Sequence, residues 1–313
     1  MKSGPALQRV DNSELVAVMR RNGELARDYA ERHGVPRWYD NAQALIDDPD
    51  VNAIYVATPP SSHNAYTLMA ARAGKPVYVE KPMALNLDEC QDMIAACDTA
   101  GVSLFVAYYR RALPRFLKIK ELVDGGAIGD VRFVSITQSR PPRPDEFNPE
   151  HLPWRMLPEI AGGGWFVDQA AHQLDFLDYV LGPIQSVRGF AANQGGLYPA
   201  EDIVSGAFTF ESGEQGVGMW CYTAFEEVDR TEIVGSKGRI RYTTFGSDPV
   251  LLATPTGTTE FAIDNPLHIQ QPLIQTVVDD LLGEGHCSST GESGARTTWV
   301  MDKMLAGYLS DQE

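Results

Sequence analysis

The chain has 313 residues, which suits one large domain or two of medium size and excludes a single small one. Hydrophobic residues make up 43% and charged residues 22% of the sequence, and this ordinary globular composition excludes a wholly disordered chain. The formal net charge is −16, which argues against nucleic-acid and polybasic membrane-binding roles because both require a basic surface.

The sequence carries no signal for export or membrane insertion. No apolar run approaches the roughly 18 residues of a membrane span, and the opening MKSGPALQRV lacks the apolar middle of a signal peptide. Four cysteines in a chain of this length do not make a disulfide framework. The sequence therefore predicts a soluble, cytoplasmic protein.

The first hundred residues alternate strand-like and helix-like segments. Short apolar runs predict strands at 14–19, 52–57, 76–80 and 102–108. Helical spacing between these runs predicts helices over 23–34, 62–74 and 86–101. Strands and helices in this rhythm are typical of βαβ units, and they predict an α/β unit with a parallel sheet.

The rhythm changes after residue 108. The sequence predicts a run of strands over 184–263, with no helix among them. Around this run it predicts a strand at 131–138 and helices at 113–124, 164–182, 269–282 and 293–309. The second part is therefore expected to be an α+β domain with a mostly antiparallel sheet, and the boundary is expected near 108.

Unusual residues follow three of the predicted strands. Because the carboxyl ends of parallel strands meet at one edge of a sheet, these residues are expected to share a ligand site. Taken singly, each group has a plainer explanation as solvated arginines, strand-breaking prolines or a surface lysine. In chain order the residues are Arg20 and Arg21; Thr58, Pro59, Pro60 and His63; and Glu80, Lys81 and Pro82.

A second group of candidates lies on the helix that follows Gly162-Gly163-Gly164. Asp168 and His172 are four residues apart and share one helix face, and Asp175 lies three residues beyond His172. A carboxylate one turn from an imidazole can fix its tautomer, although Asp168 near a helix start also favours the helix dipole and His172 could lie at the surface. Three glycines suit a backbone that approaches a ligand closely. No spacing of ligands predicts a metal site.

These motifs resemble the GFO/IDH/MocA oxidoreductase family, whose members include glucose–fructose oxidoreductase and inositol dehydrogenase. The resemblance covers nearly the whole chain, and the pieces occur in the family's order. They are ATPPSSH at 57–63, GKPVYVEKPMA at 74–84, the glycine of AIGDV at 129, and GGGWFVDQAAHQLD at 162–175. The resemblance implies a Rossmann-type dinucleotide-binding domain over 1–108 and a substrate-binding and dimerisation domain over 109–313.

The resemblance also implies roles for the candidate residues. The Lys81–Pro82 bond is expected to be cis. Lys81 would bind the reacting substrate oxygen near the nicotinamide. His172 would be the general acid/base, and Asp168 would orient the substrate or the histidine. The implied reaction is hydride transfer between NAD(P) and a carbinol or carbonyl carbon of a sugar, polyol or related cyclic alcohol. The residues expected to line the cofactor cleft are Thr58, Pro59, Pro60, His63 and Glu80, with Arg20 and Arg21 at its adenosine end.

The sequence departs from the usual pattern of NAD sites at the end of the first strand. Such sites place an acidic residue there to hold the ribose 2′-hydroxyl. This chain has Met19-Arg20-Arg21-Asn22 instead, and an arginine suits a 2′-phosphate. The sequence therefore favours NADP over NAD.

A second departure is that the G-x-G-x-x-G fingerprint and its preceding strand are not found in the sequence. Residues 3–10 have the pattern of the helix that follows that loop, so we expect roughly a dozen further residues upstream and favour a start codon placed too late over a fragment or a true variant. The chain as it stands is expected to bind either cofactor weakly.

Two other functions remain open on the sequence. One is a non-catalytic sugar-binding or regulatory member of the family with weakened cofactor affinity. The other is an NAD-dependent glycoside hydrolase. In either case the family resemblance implies a homodimer or homotetramer, formed through the outer face of the antiparallel sheet.

Overall fold

The computed structural model describes residues 3–310. Its N-terminal part confirms the predicted alternation of strands and helices. It also contains a short strand (Arg37–Tyr39) and a short helix (Ala42–Ile46), whose three and five residues are too few to show a hydrophobic period in the sequence. The helix predicted over 3–10 is limited to four residues. The elements are α1 (Gly4–Leu7), β1 (Ala17–Met19), α2 (Gly23–His33), β2 (Arg37–Tyr39), α3 (Ala42–Ile46), β3 (Ile54–Val56), α4 (His63–Arg72), β4 (Val77–Val79), α5 (Leu87–Ala100) and β5 (Leu104–Val106).

Local sequence signals explain where these helices begin and end. The Asn86 side chain accepts a hydrogen bond from the Glu89 N–H at 2.9 Å and so caps the start of α5. Gly101 ends the same helix with φ of +64°, a left-handed conformation that glycine adopts without strain. Asn22 and Gly34 bound α2 in the same way.

The strands of this part form two parallel sheets. One pairs β1 with β2, and the other has the order β3–β4–β5, with Val56, Val79 and Val106 in register. Within residues 3–310 no strand is hydrogen-bonded to both sheets. The carboxyl ends of β3, β4 and β5 therefore lie along one edge. The sequence predicted this for β3 and β4, but β1, which Arg20 and Arg21 follow, belongs to the other sheet.

The C-terminal part is built on an eight-stranded sheet, which confirms the expected α+β arrangement. Its order is β13–β12–β11–β10–β6–β9–β8–β7, and every neighbouring pair is antiparallel except β6–β9. The elements are α6 (Pro114–Asp124), β6 (Val131–Ser139), α7 (Pro158–Ala161), α8 (Trp165–Leu181), β7 (Ile184–Ala192), β8 (Ile203–Phe210), β9 (Gln215–Cys221), β10 (Val228–Gly235), β11 (Arg239–Tyr242), β12 (Val250–Thr254), β13 (Gly257–Phe261), α9 (Gln271–Leu281) and α10 (Gly291–Ser310).

Helices α8 and α10 pack against one face of this sheet. The ring of Phe166 on α8 meets Trp220 of β9 edge-on at 5.1 Å between centroids. Gly189 of β7 lies so close to Met304 of α10 that an added Cβ would stand 2.6 Å from the Met304 backbone. This packing buries most of α8 and fixes its position beneath the sheet.

A buried ion-pair network attaches α8 to the end of β5. Arg111 binds both carboxylate oxygens of Asp175, at 2.7 and 2.9 Å for the shortest contact to each, and also contacts Asp178 at 3.1 Å. Arg296 of α10 binds Asp178 at 2.7 Å. Burial raises the pKa of Asp175 to about 6 although Arg111 opposes the rise. Asp175 is thus an anchor for the helix and is not placed as a metal ligand.

The remaining sequence signals concern thiols and membranes. All four cysteines are free, and burial raises the pKa of Cys90 to about 12, which makes its thiol unreactive. Cys90 and Cys97 both lie on α5. No helix in the described part of the chain is long and apolar enough to cross a membrane.

Candidate active site

The loop after β4 and the first turn of α8 meet at Lys81 and Asp168. Lys81 Nζ donates to the backbone carbonyl oxygen of Asp168 at 2.7 Å and to its Oδ1 at 2.9 Å. The two side chains are 12% and 17% exposed, so the pair is sheltered but open to a small ligand. The Lys81–Pro82 bond is cis, as expected. The structure thus brings together two motifs that lie 87 residues apart in the sequence.

A second cation reaches the same carboxylate. Arg155, on the 3₁₀ turn Trp154–Met156, places Nε 3.3 Å from Asp168 Oδ1, and its guanidinium lies 4.3 Å from the centroid of the Trp154 ring. Burial alone would raise the pKa of Asp168, but Lys81 and Arg155 together hold it below its usual value. Sequence analysis did not find Arg155, because only the fold brings this turn to α8.

His172 lies one helical turn beyond Asp168, on the same face of α8. It is 4% exposed, so it is not a surface histidine. Aromatic rings surround its imidazole edge-on, with centroids at 5.1 Å for Tyr109 and 6.0 Å for Phe245. These rings shield the imidazole from bulk water.

The glycines before α8 were expected to approach a ligand, but Gly164 approaches Glu201 instead. A Cβ on Gly164 would stand 2.7 Å from the backbone oxygen of Glu201, and the Gly164 N–H donates to Glu201 Oε1 at 2.8 Å. The close approach is therefore to a buried part of the chain and not to a ligand. Burial raises the pKa of Glu201 to about 7, against the opposing effect of the Gly164 N–H. Sequence analysis gave no sign of this carboxyl group.

His63 does not line a cleft, which corrects the expectation from the sequence. It is fully buried, with Nε2 2.7 Å from the carbonyl oxygen of Thr58 and Nδ1 3.1 Å from that of Pro82. Burial lowers its pKa. The imidazole ties the loop after β3 to the loop that carries Lys81, so its contribution is to hold the lysine in place.

The other residues at this edge divide into two groups. Glu80 accepts hydrogen bonds from Tyr55 and from Gln270 Nε2, the second at 2.7 Å, and so connects the parallel sheet to the start of α9. Pro60 is buried, whereas Thr58 and Pro59 are half-buried at the end of β3. Thr58, Pro59 and Glu80, which is half-buried too, are therefore the members of this set that a cofactor could touch.

Arg20 and Arg21 are both exposed at the end of β1. Arg21 borders a hollow of about 270 Å³, and the acidic Asp40 at the end of β2 borders it too. Polar side chains and one aromatic ring around such a hollow fit the adenosine ribose of a dinucleotide. The full lining is Met19, Arg21, Asp40, Asn41, Ala42, Gln43, Tyr66 and Met69. Sequence analysis did not consider Asp40, because β2 was not predicted.

Metal ligands do not gather anywhere in residues 3–310. No group of three or more histidine, cysteine or acidic side chains there could hold an ion.

A parallel sheet has a lysine at its carboxyl edge, and this lysine is paired with an aspartate that lies one helical turn before a histidine. This arrangement fits a nicotinamide-dependent oxidoreductase. Residues 2–108 match the description "Oxidoreductase family, NAD-binding Rossmann fold", and residues 116–241 match "GFO/IDH/MocA C-terminal domain". The chain belongs to the GFO/IDH/MocA family and is an NAD(P)-dependent oxidoreductase.

Similar proteins agree with this assignment. Oxidoreductase P35 of Formosa agariphila is 39% identical over 303 residues, covering 96% of this chain and 93% of that protein. The 1,5-anhydro-D-fructose reductase of Ensifer adhaerens is 29% identical over 309 residues, covering 95% and 89%. Among solved structures, the aldose-aldose oxidoreductase of Caulobacter crescentus superimposes with a TM-score of 0.85 at 26% identity, covering 98% of this chain and 93% of that one.

Proposed function

We propose that this oxidoreductase transfers a hydride between NADP and a carbinol or carbonyl carbon of a cyclic sugar, polyol or related cyclic alcohol. The observation that carries the proposal is the Lys81–Asp168 pair, which lies at the carboxyl edge of the parallel sheet. Asp168 shares a face of α8 with His172. The names of the similar proteins support a sugar-like substrate, since one of them reduces 1,5-anhydro-D-fructose.

Lys81 binds the reacting oxygen of the substrate. Its ammonium has three N–H donors, and Asp168 holds it through a backbone and a side-chain oxygen. A donor fixed in this way stabilises the negative charge that develops on the oxygen of a reacting carbonyl. Asp168 therefore acts by orienting Lys81, and Arg155 keeps Asp168 ionised.

His172 handles the proton of the substrate hydroxyl. When the alcohol is oxidised, its proton must leave the oxygen, and a neutral imidazole nitrogen can accept it. The aromatic rings of Tyr109 and Phe245 keep bulk water away from this transfer. The nicotinamide, when bound, supplies the hydride acceptor or donor.

We further propose that NADP is preferred over NAD. The support is Arg21, which borders the hollow at the end of β1 and could bind a 2′-phosphate. Asp40 in the same hollow is the competing feature, since a carboxylate favours a free 2′-hydroxyl and repels a phosphate.

The test is a panel of cyclic sugars and polyols, assayed in both directions with saturating NADP and NAD. Net change in the absorbance of the reduced nicotinamide is the expected result, and a Lys81→Ala variant should slow it by about 10²–10⁴. Binding of sugar without turnover would favour the non-catalytic alternative. Release of the leaving group from a glycoside with no net change in the nicotinamide would favour the hydrolase.

A further inference from the structure

The loop of residues 243–246, between β11 and β12, is held by three charged side chains. Asp229 of β10 accepts hydrogen bonds from three successive backbone N–H groups of the loop. The distances are 2.9 Å from Thr244, 2.6 Å from Phe245 and 3.1 Å from Gly246. A single carboxylate thus fixes the backbone on its amide side.

Two arginines hold the carbonyl side of the same loop. Arg110 donates from Nε and Nη2 to the carbonyl oxygen of Thr244, at 3.1 and 3.0 Å. Arg115 donates to the carbonyl oxygens of Thr243 and Gly246, at 2.6 and 2.5 Å. Both arginines are buried, so these bonds are sheltered from water.

The side chain that this loop presents is a phenylalanine. Phe245 is 42% exposed although its own backbone is fixed on both sides. The guanidinium of Arg110 lies 4.7 Å from the ring centroid, and the His172 ring lies 6.0 Å from it. An ordinary surface phenylalanine has no need of such support, and burying two arginines beside a loop is costly unless the position of the loop matters.

We infer that Phe245 is the specificity-determining residue of the substrate site, with its ring forming the wall against which the C–H face of a cyclic sugar or polyol packs. A sugar ring has an apolar face and polar edges, and an aromatic ring is the side chain suited to that face. Packing on Phe245 places the edge of the substrate, with its reacting hydroxyl, beside His172. This inference rests on the proposed function and adds the substrate's shape to it.

The experiment compares cyclic and acyclic substrates in Phe245→Ala, with myo-inositol and glucose as the cyclic probes and glycerol as the acyclic one. For the cyclic probe that turns over best, kcat/KM should fall about ten- to a hundredfold, mainly through KM. The kcat/KM for glycerol, the KM for the cofactor and the pH profile should change little. Phe245→Tyr should retain the preference for cyclic over acyclic substrates.

Two further variants separate this effect from general damage. Phe225→Ala removes another aromatic ring that is 98% exposed on a loop, and it should change nothing. Asp229→Asn keeps Phe245 but weakens its support, so it should raise KM for the cyclic probe by a smaller factor. An unchanged ratio of cyclic to acyclic kcat/KM in Phe245→Ala overturns the inference while leaving hydride transfer intact.

Failure of the proposed function would show differently, as no hydride transfer by the unaltered protein. Calorimetry of myo-inositol and glucose binding then tests directly whether these sugars pack on the Phe245 ring. Binding that weakens in Phe245→Ala and not in Phe225→Ala supports the inference, and equal binding or no binding of either sugar overturns it.

Discussion

The ammonium of Lys81 is bound by two oxygens of one residue, the backbone carbonyl oxygen of Asp168 at 2.7 Å and its Oδ1 at 2.9 Å. The lysine comes from a loop of the parallel sheet, whereas the aspartate opens a helix of the second domain. Their contact therefore sets the distance between the nucleotide-binding edge and the helix that carries His172. It also makes the position of the lysine dependent on the charge of the aspartate.

Removing Arg155 should shift the acid limb of the pH–activity profile. Arg155 is one of two cations that hold the pKa of Asp168 below its usual value, so Arg155→Met should raise that pKa. A group with a depressed pKa loses its charge as the pH falls through that value, and a higher pKa means that activity is lost at a higher pH. The measurement is kcat/KM against pH, with Arg155→Lys as the matched variant that retains a cation. An acid limb at the same pH in Arg155→Met would contradict the role given to this residue.

Glu201→Gln should remove a pH dependence of stability. Burial raises the pKa of Glu201 from 4.5 to about 7, so the folded state holds a proton that the unfolded chain has already released. The wild-type protein should therefore lose stability as the pH rises between these two values, by about 3 kcal/mol in total. Glutamine has the shape of the protonated acid and can still accept the Gly164 N–H, so the variant should not show this loss.

The measurement for Glu201 is denaturant unfolding of both proteins at several pH values. The difference in the free energy of unfolding between variant and wild type isolates this group from Asp175, whose pKa is also raised. A difference that stays constant with pH would show that Glu201 is ionised in the folded protein.

Arg21 and Asp40 should set cofactor choice in opposite directions. If Arg21 binds the 2′-phosphate, Arg21→Ala should weaken NADPH binding by about ten- to a hundredfold, since a charge-assisted arginine–phosphate contact contributes about 1.5–3 kcal/mol. NADH binding should change little. Asp40→Ala should strengthen NADPH binding by removing a negative charge from the hollow. Fluorescence titration of both cofactors measures this, and equal affinities for NADH and NADPH in the unaltered protein would remove the preference.

The open face of the eight-stranded sheet should form the contact between two copies of the chain. A row of side chains runs across five strands of this face. Two of them are exposed and apolar, two are small and polar, and the one on β10 is an exposed arginine. Met219→Lys places a charge in the middle of the row and should give monomers by light scattering, whereas Leu267→Lys, at an exposed leucine outside the strands, should not. A wild-type monomer at micromolar concentration would contradict this contact. In register the row is Phe190, Ser205, Met219, Thr137 and Arg230.

The fold was predictable where periodicity was strong. Asn86 and Gly101 bound α5 as expected, because a helix cap and a left-handed glycine are decided by a few neighbouring residues. The strand at 37–39 was missed, because three residues are too few to show a pattern. With that strand unpredicted, Asp40 could not be placed at the hollow that Arg21 borders.

The candidate site was predictable in its motifs but not in its contacts. Asp168 and His172 were placed on one helix face from their spacing alone. Glu201 and Phe245 were missed because each reaches α8 from a distant part of the chain. Arg155 lies only 13 residues before Asp168, but it is on a separate 3₁₀ turn, and no helical spacing encodes its approach. His63 was assigned to the cleft by resemblance, whereas its burial gives it a structural position.

The most direct test of the central claim is transfer of deuterium from a cyclic substrate to the nicotinamide. The substrate is labelled at the carbinol carbon, and transfer is followed in single turnovers with saturating cofactor. The account predicts label on the nicotinamide for the wild-type protein and transfer slower by about 10²–10⁴ in Lys81→Met and in His172→Asn, the usual contribution of a positioned acid/base group. No label on the nicotinamide from any cyclic sugar or polyol, or an undiminished rate in either variant, would contradict the account.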